Sequence, residues 1–329
     1  MRIVAATRIL DEADIVEAFA RHSAAYVSHH VFLDNGSTDG TLDILRKLHE
    51  EGLALTVFGT KSLSYNEVTA NTFLYRQAAD ALGADWVVFL DADEFVDDRS
   101  VSGGLAAALA GVSPSGSNPS YLHAPLTDYF ASASDDATEV NPAVRIRRRA
   151  APSDVNKAIV RGRAFDRSIT VGPGSHAVMQ GGRVIPPAGS LPGLTYAHFA
   201  ERSFMQWIGK FVKGWAKVLA GGEETLAARV SHHYRGPFND LRNHPHLIMR
   251  NPAFVGGPWS DNRGQHLDPI EYRGGPLRYT GAIDEEMRTV RALVGYLESL
   301  ATQHGRILDE SPEARALVQA WNGRFDRIF

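Results

Sequence analysis

The order of apolar and amphipathic stretches predicts alternating strands and helices in the first part of the chain. Short apolar runs predict strands at residues 2–7, His29–Asp34, Leu53–Phe58 and Trp86–Asp91. Apolar residues at helical spacing predict helices at Ala13–Tyr26, Leu42–Glu51 and Glu67–Leu82. Strands separated by helices in this way predict an α/β fold, with a mixed, mainly parallel sheet and helices on both of its faces.

The pattern changes after the fourth strand. It predicts an Ala-rich helix at Ser100–Gly111, a loop at Gly111–Ser120, and strands of a smaller antiparallel part at Tyr121–Phe130 and Ala143–Arg149. Beyond residue 201 it predicts a core-packing helix at Arg202–Leu219, loops over 231–280, and helices at Glu285–His304 and Pro312–Phe325. We therefore predict a first domain over 1–200 and a mostly helical, loop-rich region over 201–329. This second region would serve as a cap, in acceptor binding or in oligomerisation.

Acidic residues follow the fourth predicted strand. The apolar run Val87–Leu90 ends in Asp91, Asp93 and Glu94. In open α/β sheets, ligands bind beyond the carboxyl ends of the strands, and the two carboxylates of Asp91 and Asp93 converging there suit a hard cation such as Mg²⁺ or Mn²⁺. The alternative is a polar strand end whose acids favour the start of a helix.

A second strand ends in the same way. Asp34 closes the apolar run Val31–Leu33, and the turn formers Asn35 and Gly36 follow it. Ser37, Thr38 and Asp39 can then cap an amphipathic helix at Thr41–Glu50. Each residue alone fits an ordinary strand-turn-helix connection, but two acidic strand ends in one alternating pattern indicate a shared site.

These segments carry a resemblance to a known family. Asp34-Asn35-Gly36-Ser37-Thr38-Asp39-Gly40-Thr41, followed by Asp91-Ala92-Asp93-Glu94-Phe95, resembles the nucleotide-sugar glycosyltransferases of the GT-A fold. The chain is most similar to the family 2-like branch that includes the family 92-type transferases. The resemblance extends over roughly residues 1–215, through Asn156–Arg161, His176, Tyr196–Ser203 and Phe204–Lys210. It departs from the family at Thr7–Glu12, where such proteins often carry Lys-Asn-Glu, and this departure weakens any role for Asp11 or Glu12.

The resemblance implies an enzyme and its substrates. It implies a metal-dependent glycosyltransferase that moves a sugar from a nucleotide-diphosphate donor, with a UDP-sugar expected, to a hydroxyl of a glycan or another acceptor. Inversion at the sugar is expected because related families invert, and the setting would be glycan or polysaccharide synthesis. Mn²⁺ or Mg²⁺ would be the cofactor. The 1–200 domain would then be the nucleotide-sugar-binding catalytic domain.

The resemblance and the acidic strand ends together indicate candidate residues for the metal, the donor nucleotide and the general base. For the metal these are Asp93 and Asp91, completed by His176 or His198, with His198 favoured. For the donor nucleotide they are Ala5, Thr7, Arg8, Asp34, Asn35, Ser37, Asp91, Ala92 and Lys157. An inverting transfer also needs a general base, for which the candidates are Glu94, Asp128 and Glu201.

The roles of some other residues, and two alternative functions, stay open at this point. His232, His233, His244 and His246 would contact the acceptor or have no role, and the arginines at 145 and 147–149 fit a solvated strand face. The alternatives to a glycosyltransferase are a sugar-nucleotide pyrophosphorylase and a non-catalytic carbohydrate-binding protein. A pyrophosphorylase would be expected to carry a glycine-rich phosphate loop after its first strand, and Ala5–Leu10 contains no glycine.

Composition indicates the class of protein and its partners, and the lack of targeting and membrane segments indicates the compartment. Of 329 residues, 44% are hydrophobic and 22% are charged, which permits a sizeable core. A formal net charge of −4 gives no reason to expect nucleic acid as a partner. The absence of cysteine excludes disulfides and cysteine nucleophiles. With no targeting signal and no transmembrane segment in the sequence, we expect a cytoplasmic enzyme, with peripheral membrane contact left open.

Overall fold

The computed structural model describes residues 1–64, 67–112, 121–132, 134–162, 168–246, 264–281 and 284–322. The first part alternates strands and helices, as the sequence predicted. Its elements are β1 (Ile3–Ile9), α1 (Val16–Ser23), β2 (His29–Asp34), α2 (Thr41–Glu50), β3 (Leu55–Gly59), α3 (Glu67–Arg76) and β4 (Trp86–Phe89). A π-helical turn, Gln77–Ala81, continues α3.

Short strands dominate the middle of the chain and helices its C-terminal part. The middle contains β5 (Glu94–Asp97), α4 (Gly104–Ala110), β6 (Tyr121–Phe130), α5 (Pro142–Arg145), β7 (Arg148–Arg149), β8 (Asn156–Arg161), β9 (Ile169–Val171), β10 (Val178–Gln180), β11 (Arg183–Val184), β12 (Gly189–Ser190) and β13 (Thr195–Glu201). The C-terminal part contains α6 (Phe204–Ala220), α7 (Gly222–Ala227), α8 (Arg235–Asn243), β14 (His266–Leu267), α9 (Glu285–Glu310) and α10 (Pro312–Asn322).

The main sheet is mixed, with a parallel half. Within the described ranges its strands follow the order β14-β7-β6-β8-β4-β1-β2-β3. β1 pairs in parallel with β2 and β4, and β2 pairs in parallel with β3. β8 runs antiparallel between β4 and β6, while β13 pairs with both β5 and β6. This architecture, with its helical C-terminal region, confirms the predicted fold class.

Helices cover both faces of the sheet. Successive residues of a strand point to opposite faces, and β1 accordingly places Ala5 in one core and Val4 in the other. Phe19 of α1 and Leu45 of α2 pack in the first core, whereas Leu74 of α3 packs in the second. The sheet is therefore buried on both sides, and its strand ends are left as the place where a ligand can approach.

The C-terminal region packs against the sheet domain. Glu17 of α1 accepts hydrogen bonds from the backbone N–H groups of Arg278, Tyr279 and Thr280, at 2.7, 2.8 and 2.6 Å. α9 packs against α6, and the Thr289 hydroxyl donates to a carbonyl of α6 at 2.9 Å. The predicted division at residues 200 and 201, which falls at the end of β13, stays a prediction.

The structure corrects two predicted segments. Ala143–Arg149 is not one strand: Pro142–Arg145 is helical, because Asn141 caps it by accepting the Ala143 N–H and Pro142 suits a first helical turn. The stretch 231–280 is not only loop, since it contains α8.

Much of the predicted loop Gly111–Ser120 lies outside the described residues. The predicted core packing of α6 is confirmed by its buried aromatic residues, Trp207, Phe211 and Trp215.

Candidate active site

A cavity opens beyond the carboxyl ends of β1, β2 and β4. The parallel pairing places Ile9 opposite Asp34 and Ala6 opposite Phe89. The chain therefore leaves β2 at Asp34, and β4 shortly before Asp91, at one edge of the sheet. The cavity at this edge has a volume of about 780 Å³. That volume lies within the range of pockets that bind small organic ligands.

Most of the residues that the sequence indicated line this cavity. They are Arg8, Asn35, Asp91, Ala92, Asp93, Glu94, Asp128, Lys157, His176, His198 and Glu201. The two acidic strand ends and the later segments of the resemblance thus meet in one place, although they lie far apart in sequence.

Ala5 and Thr7 are not brought to the cavity, contrary to the expectation from the sequence. Ala5 has an exposed fraction of 0% because it lies in the middle of β1, between strands and under helices. Thr7 is also buried, and its hydroxyl forms a hydrogen bond of 2.8 Å with the His30 ring. The cavity begins one residue further along the chain, at Arg8.

Asp34 and Ser37 hold the turn beside the cavity and do not line it. The Asp34 carboxylate accepts hydrogen bonds from the backbone N–H groups of Gly36 and Ser37, at 2.9 and 3.1 Å. Gly36 has a φ of +85°, a value that favours glycine in such a turn. The neighbouring Asn35 does reach the cavity, where its side chain bonds to the backbone of Ser62. The nucleotide-binding roles of these residues stay predictions.

Three side chains form a group that can hold a metal ion. One potential ligand atom each from Asp93, Glu94 and His198 lies within 4.8 Å of the other two. Two carboxylates and an imidazole form a donor set that suits Mn²⁺, and the carboxylates also suit Mg²⁺. Glu94 belongs to this group although the sequence suggested it only as a base. Asp91, which was predicted as a ligand, is not part of this group; its carboxylate accepts a hydrogen bond from Lys157 at 2.6 Å.

Strand pairing explains why His198 reaches the carboxylates. β13 lies between β5 and β6, in a register that places His198 opposite both Glu94 and Asp128. Nδ1 of His198 donates a hydrogen bond to Asp128 at 2.7 Å, and Nε2 lies 3.8 Å from an oxygen of Asp93. Burial opposes the charged imidazole, but the negative charge of Asp93 and the hydrogen bond to Asp128 outweigh burial and raise the pKa of His198.

His176 lines the same cavity without joining this group of described residues. Its Nδ1 donates to the carbonyl of Asn156 at 2.7 Å, which leaves Nε2 as the second ring nitrogen. The preference for His198 over His176 as a ligand therefore gains support from geometry, and the ligand role itself stays a prediction.

Lys157 sits between two acids of the cavity. Its Nζ lies 2.6 Å from Asp91 and 3.0 Å from Glu94, and its side chain is 2% exposed. Burial raises the pKa of Glu94 to about 7, with Lys157 opposing that rise and Asp91 adding to it. The contact with the donor nucleotide that was predicted for Lys157 would thus come from an ammonium group that two carboxylates already hold.

Several charged residues of the site were not predicted. Lys210 of α6 lies 2.6 Å from Asp93, and the Arg202 guanidinium lies 3.6 Å from the same carboxylate. Arg202 also donates to Glu12 and Asp14, each at 2.5 Å. Burial raises the pKa of Glu12 to about 7, although Arg202 pulls it down. Glu12 thus belongs to the site despite the departure of its segment from the family pattern.

Known proteins provide an independent comparison. The sequence model described as Glycosyl transferase family 2 matches residues 14–113. No curated protein matches the chain in sequence. Among the described residues, no helix combines the length and apolar character that a membrane span needs.

Solved structures also resemble the chain at low sequence identity. TarS 1-349 from S. aureus is 12% identical, with coverage of 91% of this chain and 81% of that one and a TM-score of 0.33. The mannosyltransferase PcManGT from Pyrobaculum calidifontis, in complex with GDP-Man and Mn²⁺, is 16% identical, with coverages of 90% and 87% and a TM-score of 0.35.

The match over residues 14–113 includes both acidic strand ends of the cavity and ends before β6. It confirms the resemblance to family 2-like glycosyltransferases, while the narrower likeness to family 92-type transferases stays a prediction. Over residues 14–113 the chain is thus similar to glycosyl transferase family 2, and it is an enzyme of the glycosyltransferase class.

Proposed function

We propose that this enzyme transfers a sugar from a nucleoside-diphosphate donor to an acceptor hydroxyl with the help of Mn²⁺ or Mg²⁺. The observation that carries the proposal is the convergence of Asp93, Glu94 and His198 in a cavity at the ends of the sheet strands. A diphosphate leaving group gains negative charge as the glycosidic bond breaks, so the enzyme must supply positive charge at that point.

Asp93, Glu94 and His198 would hold the metal ion. When bound, a divalent cation would neutralise the developing charge on the diphosphate as a Lewis acid. The hydrogen bond from Nδ1 of His198 to Asp128 leaves Nε2 able to act as a ligand, an arrangement common for histidines that bind metals. Nζ of Lys210 lies 2.6 Å from one oxygen of Asp93, so the ammonium group would compete with the ion for that oxygen.

Arg8 and the turn at Asp34–Ser37 would bind the nucleotide, with uridine as the expected base. Arg8 lines the cavity, where its guanidinium lies 2.8 Å from Glu67 and 3.8 Å from Asp91. Asp34 organises the turn through two backbone N–H groups. Its effect on the nucleotide would therefore come from placing Asn35, whose side chain lines the cavity.

Three carboxylates remain candidates for the base of an inverting transfer. The Asp128 side chain is 41% exposed, whereas that of Glu94 is 2% exposed and Glu201 as a residue is 5% exposed. A base must contact the acceptor hydroxyl, and on this criterion Asp128 is the most accessible. The hydrogen bond from His198 gives Asp128 a second possible role, which is to orient that histidine. The Asp128→Asn variant distinguishes this role from that of the general base.

The proposal is tested by calorimetry and by a product assay. We expect the wild type to bind UDP or GDP more tightly with Mn²⁺ than without it, and to release the nucleoside diphosphate from a UDP- or GDP-sugar. Asp93→Asn keeps the shape of the side chain but loses the charge that the cation needs. It should fold normally, with most of the metal-dependent turnover lost.

The same assays separate the alternatives. Formation of a nucleotide sugar from a sugar phosphate and a nucleoside triphosphate, with release of pyrophosphate, would indicate a pyrophosphorylase instead. Binding of sugars without turnover of any donor would indicate a carbohydrate-binding protein. If Asp93→Asn binds Mn²⁺ and turns over donor as the wild type does, the proposed metal site is wrong.

A further inference from the structure

Lysines are concentrated at this cavity. The chain contains six lysines, and four of them, Lys157, Lys210, Lys213 and Lys217, line the cavity. Three of the four lie on α6 at positions i, i+3 and i+7, a spacing that places them on one face of a helix. α6 thus presents a row of ammonium groups to the cavity.

Lys217 differs from the other three in its surroundings. Lys157 and Lys210 each lie 2.6 Å from a carboxylate oxygen, and Lys213 donates to Asp11. By contrast, Lys217 forms no hydrogen bond or ion pair with any of the residues that the structure describes. It is the lysine of this row whose charge the described part of the protein leaves without a direct partner.

The neighbours of Lys217 add positive charge. Burial and the positive charges of Lys213 and Arg8 together lower the pKa of Lys217 to about 8, although Glu67 and Asp11 oppose the shift. Arg8 is paired with Glu67 and Lys213 with Asp11, so these two pairs are close to neutral. The ammonium group of Lys217 remains as the excess charge at this end of the cavity.

The ammonium group of Lys217, which is partly buried beside other positive charges, favours the binding of an anion. Removing a charge from water is costly unless an opposite charge compensates it. A ligand anion supplies that compensation when it enters the cavity, and a phosphate oxygen forms a strong, charge-assisted hydrogen bond with an ammonium group. A bound anion would then offset the free energy that burial and the nearby positive charges cost the ammonium group of Lys217.

We infer that Lys217, with Lys213 and Arg8 beside it, forms an anion-binding subsite that receives a phosphate group of a bound substrate. This inference rests on the proposed function. The phosphate can belong to the diphosphate of the donor or to an anionic acceptor, and the chemistry of recognition is the same for both.

The test compares a nucleotide with its nucleoside by calorimetry. The ligands are UDP and uridine, or GDP and guanosine if the wild type binds GDP more tightly. Lys217→Gln should weaken binding of the diphosphate about tenfold, since a hydrogen bond to a charged group contributes roughly that much affinity. Binding of the nucleoside should not change. Lys217→Arg, which keeps the charge, should restore most of the affinity.

A second titration distinguishes the source of the phosphate. Inorganic phosphate is added to enzyme that is already saturated with the nucleoside diphosphate. If Lys217→Gln leaves the diphosphate affinity unchanged but abolishes this phosphate binding, the subsite receives the acceptor. Lys47→Gln, a change of equal charge at an exposed position of α2, serves as the control and should bind every ligand like the wild type.

The outcomes separate this inference from the function on which it rests. If Lys217→Gln binds the diphosphate and inorganic phosphate as the wild type does, the subsite is refuted and the proposed function stands. If the wild type binds no nucleotide but binds inorganic phosphate through Lys217, the subsite stands and the proposed donor is wrong. A wild type that binds neither ligand refutes both.

Discussion

His198 and Asp128 form a hydrogen-bonded pair across neighbouring strands, with 2.7 Å between Nδ1 and a carboxylate oxygen. Because a carboxylate can only accept, the hydrogen of the neutral imidazole lies on Nδ1. Nε2 is then left on the side of Asp93, whose nearest oxygen is 3.8 Å away. This is the arrangement of a carboxylate that orients a metal-binding histidine.

The pair leads to a prediction for Asp128→Asn. If Asp128 orients His198, the variant should bind Mn²⁺ about 10- to 100-fold more weakly, which is the usual cost of losing such a partner. Electron paramagnetic resonance of free Mn²⁺, recorded with UDP present, measures this affinity directly. A variant that binds Mn²⁺ normally but has lost its turnover would instead identify Asp128 as the general base. Asp43→Asn, at an exposed position of α2, is the control for the lost charge.

The two histidines of the cavity should respond differently to replacement by alanine. His198→Ala should weaken Mn²⁺ binding in the presence of nucleotide, because His198 joins Asp93 and Glu94. His176→Ala, a matched change in the same cavity, should spare it, since His176 lies outside the group that Asp93, Glu94 and His198 form. The melting temperature of each metal-free protein is the second measurement. Our assignment fails if His198→Ala lowers that temperature and leaves Mn²⁺ binding intact.

The strand ends of the site could be predicted from the sequence. Asp34 and Asp91 each follow an apolar run, and parallel strands bring their carboxyl ends to one edge of a sheet. Both residues could therefore be placed near one cavity without knowledge of the structure.

The ion pairs of the site could not be predicted in the same way. Lys210 reaches Asp93 only because of where α6 packs, and nothing in the local sequence specifies that position. The spacing of the lysines on α6 is a usable signal of a shared face, although the aromatic residues of this helix indicate core packing more strongly. The participation of Glu94 in the metal group depends on the register of β13 against β5, which is a property of the tertiary structure.

Glu17 connects α1 to the segment that precedes α9, and this contact leads to a stability prediction. One carboxylate oxygen accepts from the amide of Arg278 and from Arg21, and the other accepts from the amides of Tyr279 and Thr280. Glu17→Gln places an NH₂ group against N–H donors, whichever way the amide turns. We expect a loss of about 3 kcal/mol in the free energy of unfolding, typical of a broken buried charged network.

Urea unfolding measures this loss, and hydrogen exchange shows where it acts. The backbone amides of Arg278, Tyr279 and Thr280 should exchange faster in Glu17→Gln than in the wild type. Glu50→Gln, at an exposed position of α2, should change neither measurement. Unaltered exchange at these three amides would mean that other contacts hold the segment in place.

His22 is buried in its neutral form. Its Nε2 donates to the carbonyl of Val96 at 2.8 Å, and its Nδ1 accepts from the backbone N–H of Arg273 at 3.1 Å. A second proton, on Nδ1, would place two donors against each other and break this hydrogen bond from Arg273. Burial lowers the pKa of His22 from 6.5 to about 4, and the positive charge of Arg273 contributes to the shift, while Asp97 and Asp98 oppose it.

This histidine should make the protein less stable in mild acid. The folded-state pKa lies below the ordinary value, so the unfolded chain binds the proton first as the pH falls. The contribution of neutral His22 is complete above about pH 6.5 and is lost between 6.5 and about 4, with a slope of about 1.4 kcal/mol per pH unit. Urea unfolding across this range should show His22→Gln with a lower free energy of unfolding at neutral pH and a shallower decline in acid. The exposed His49→Gln should keep the slope of the wild type, and an equally steep slope in His22→Gln would assign the acid sensitivity to other groups.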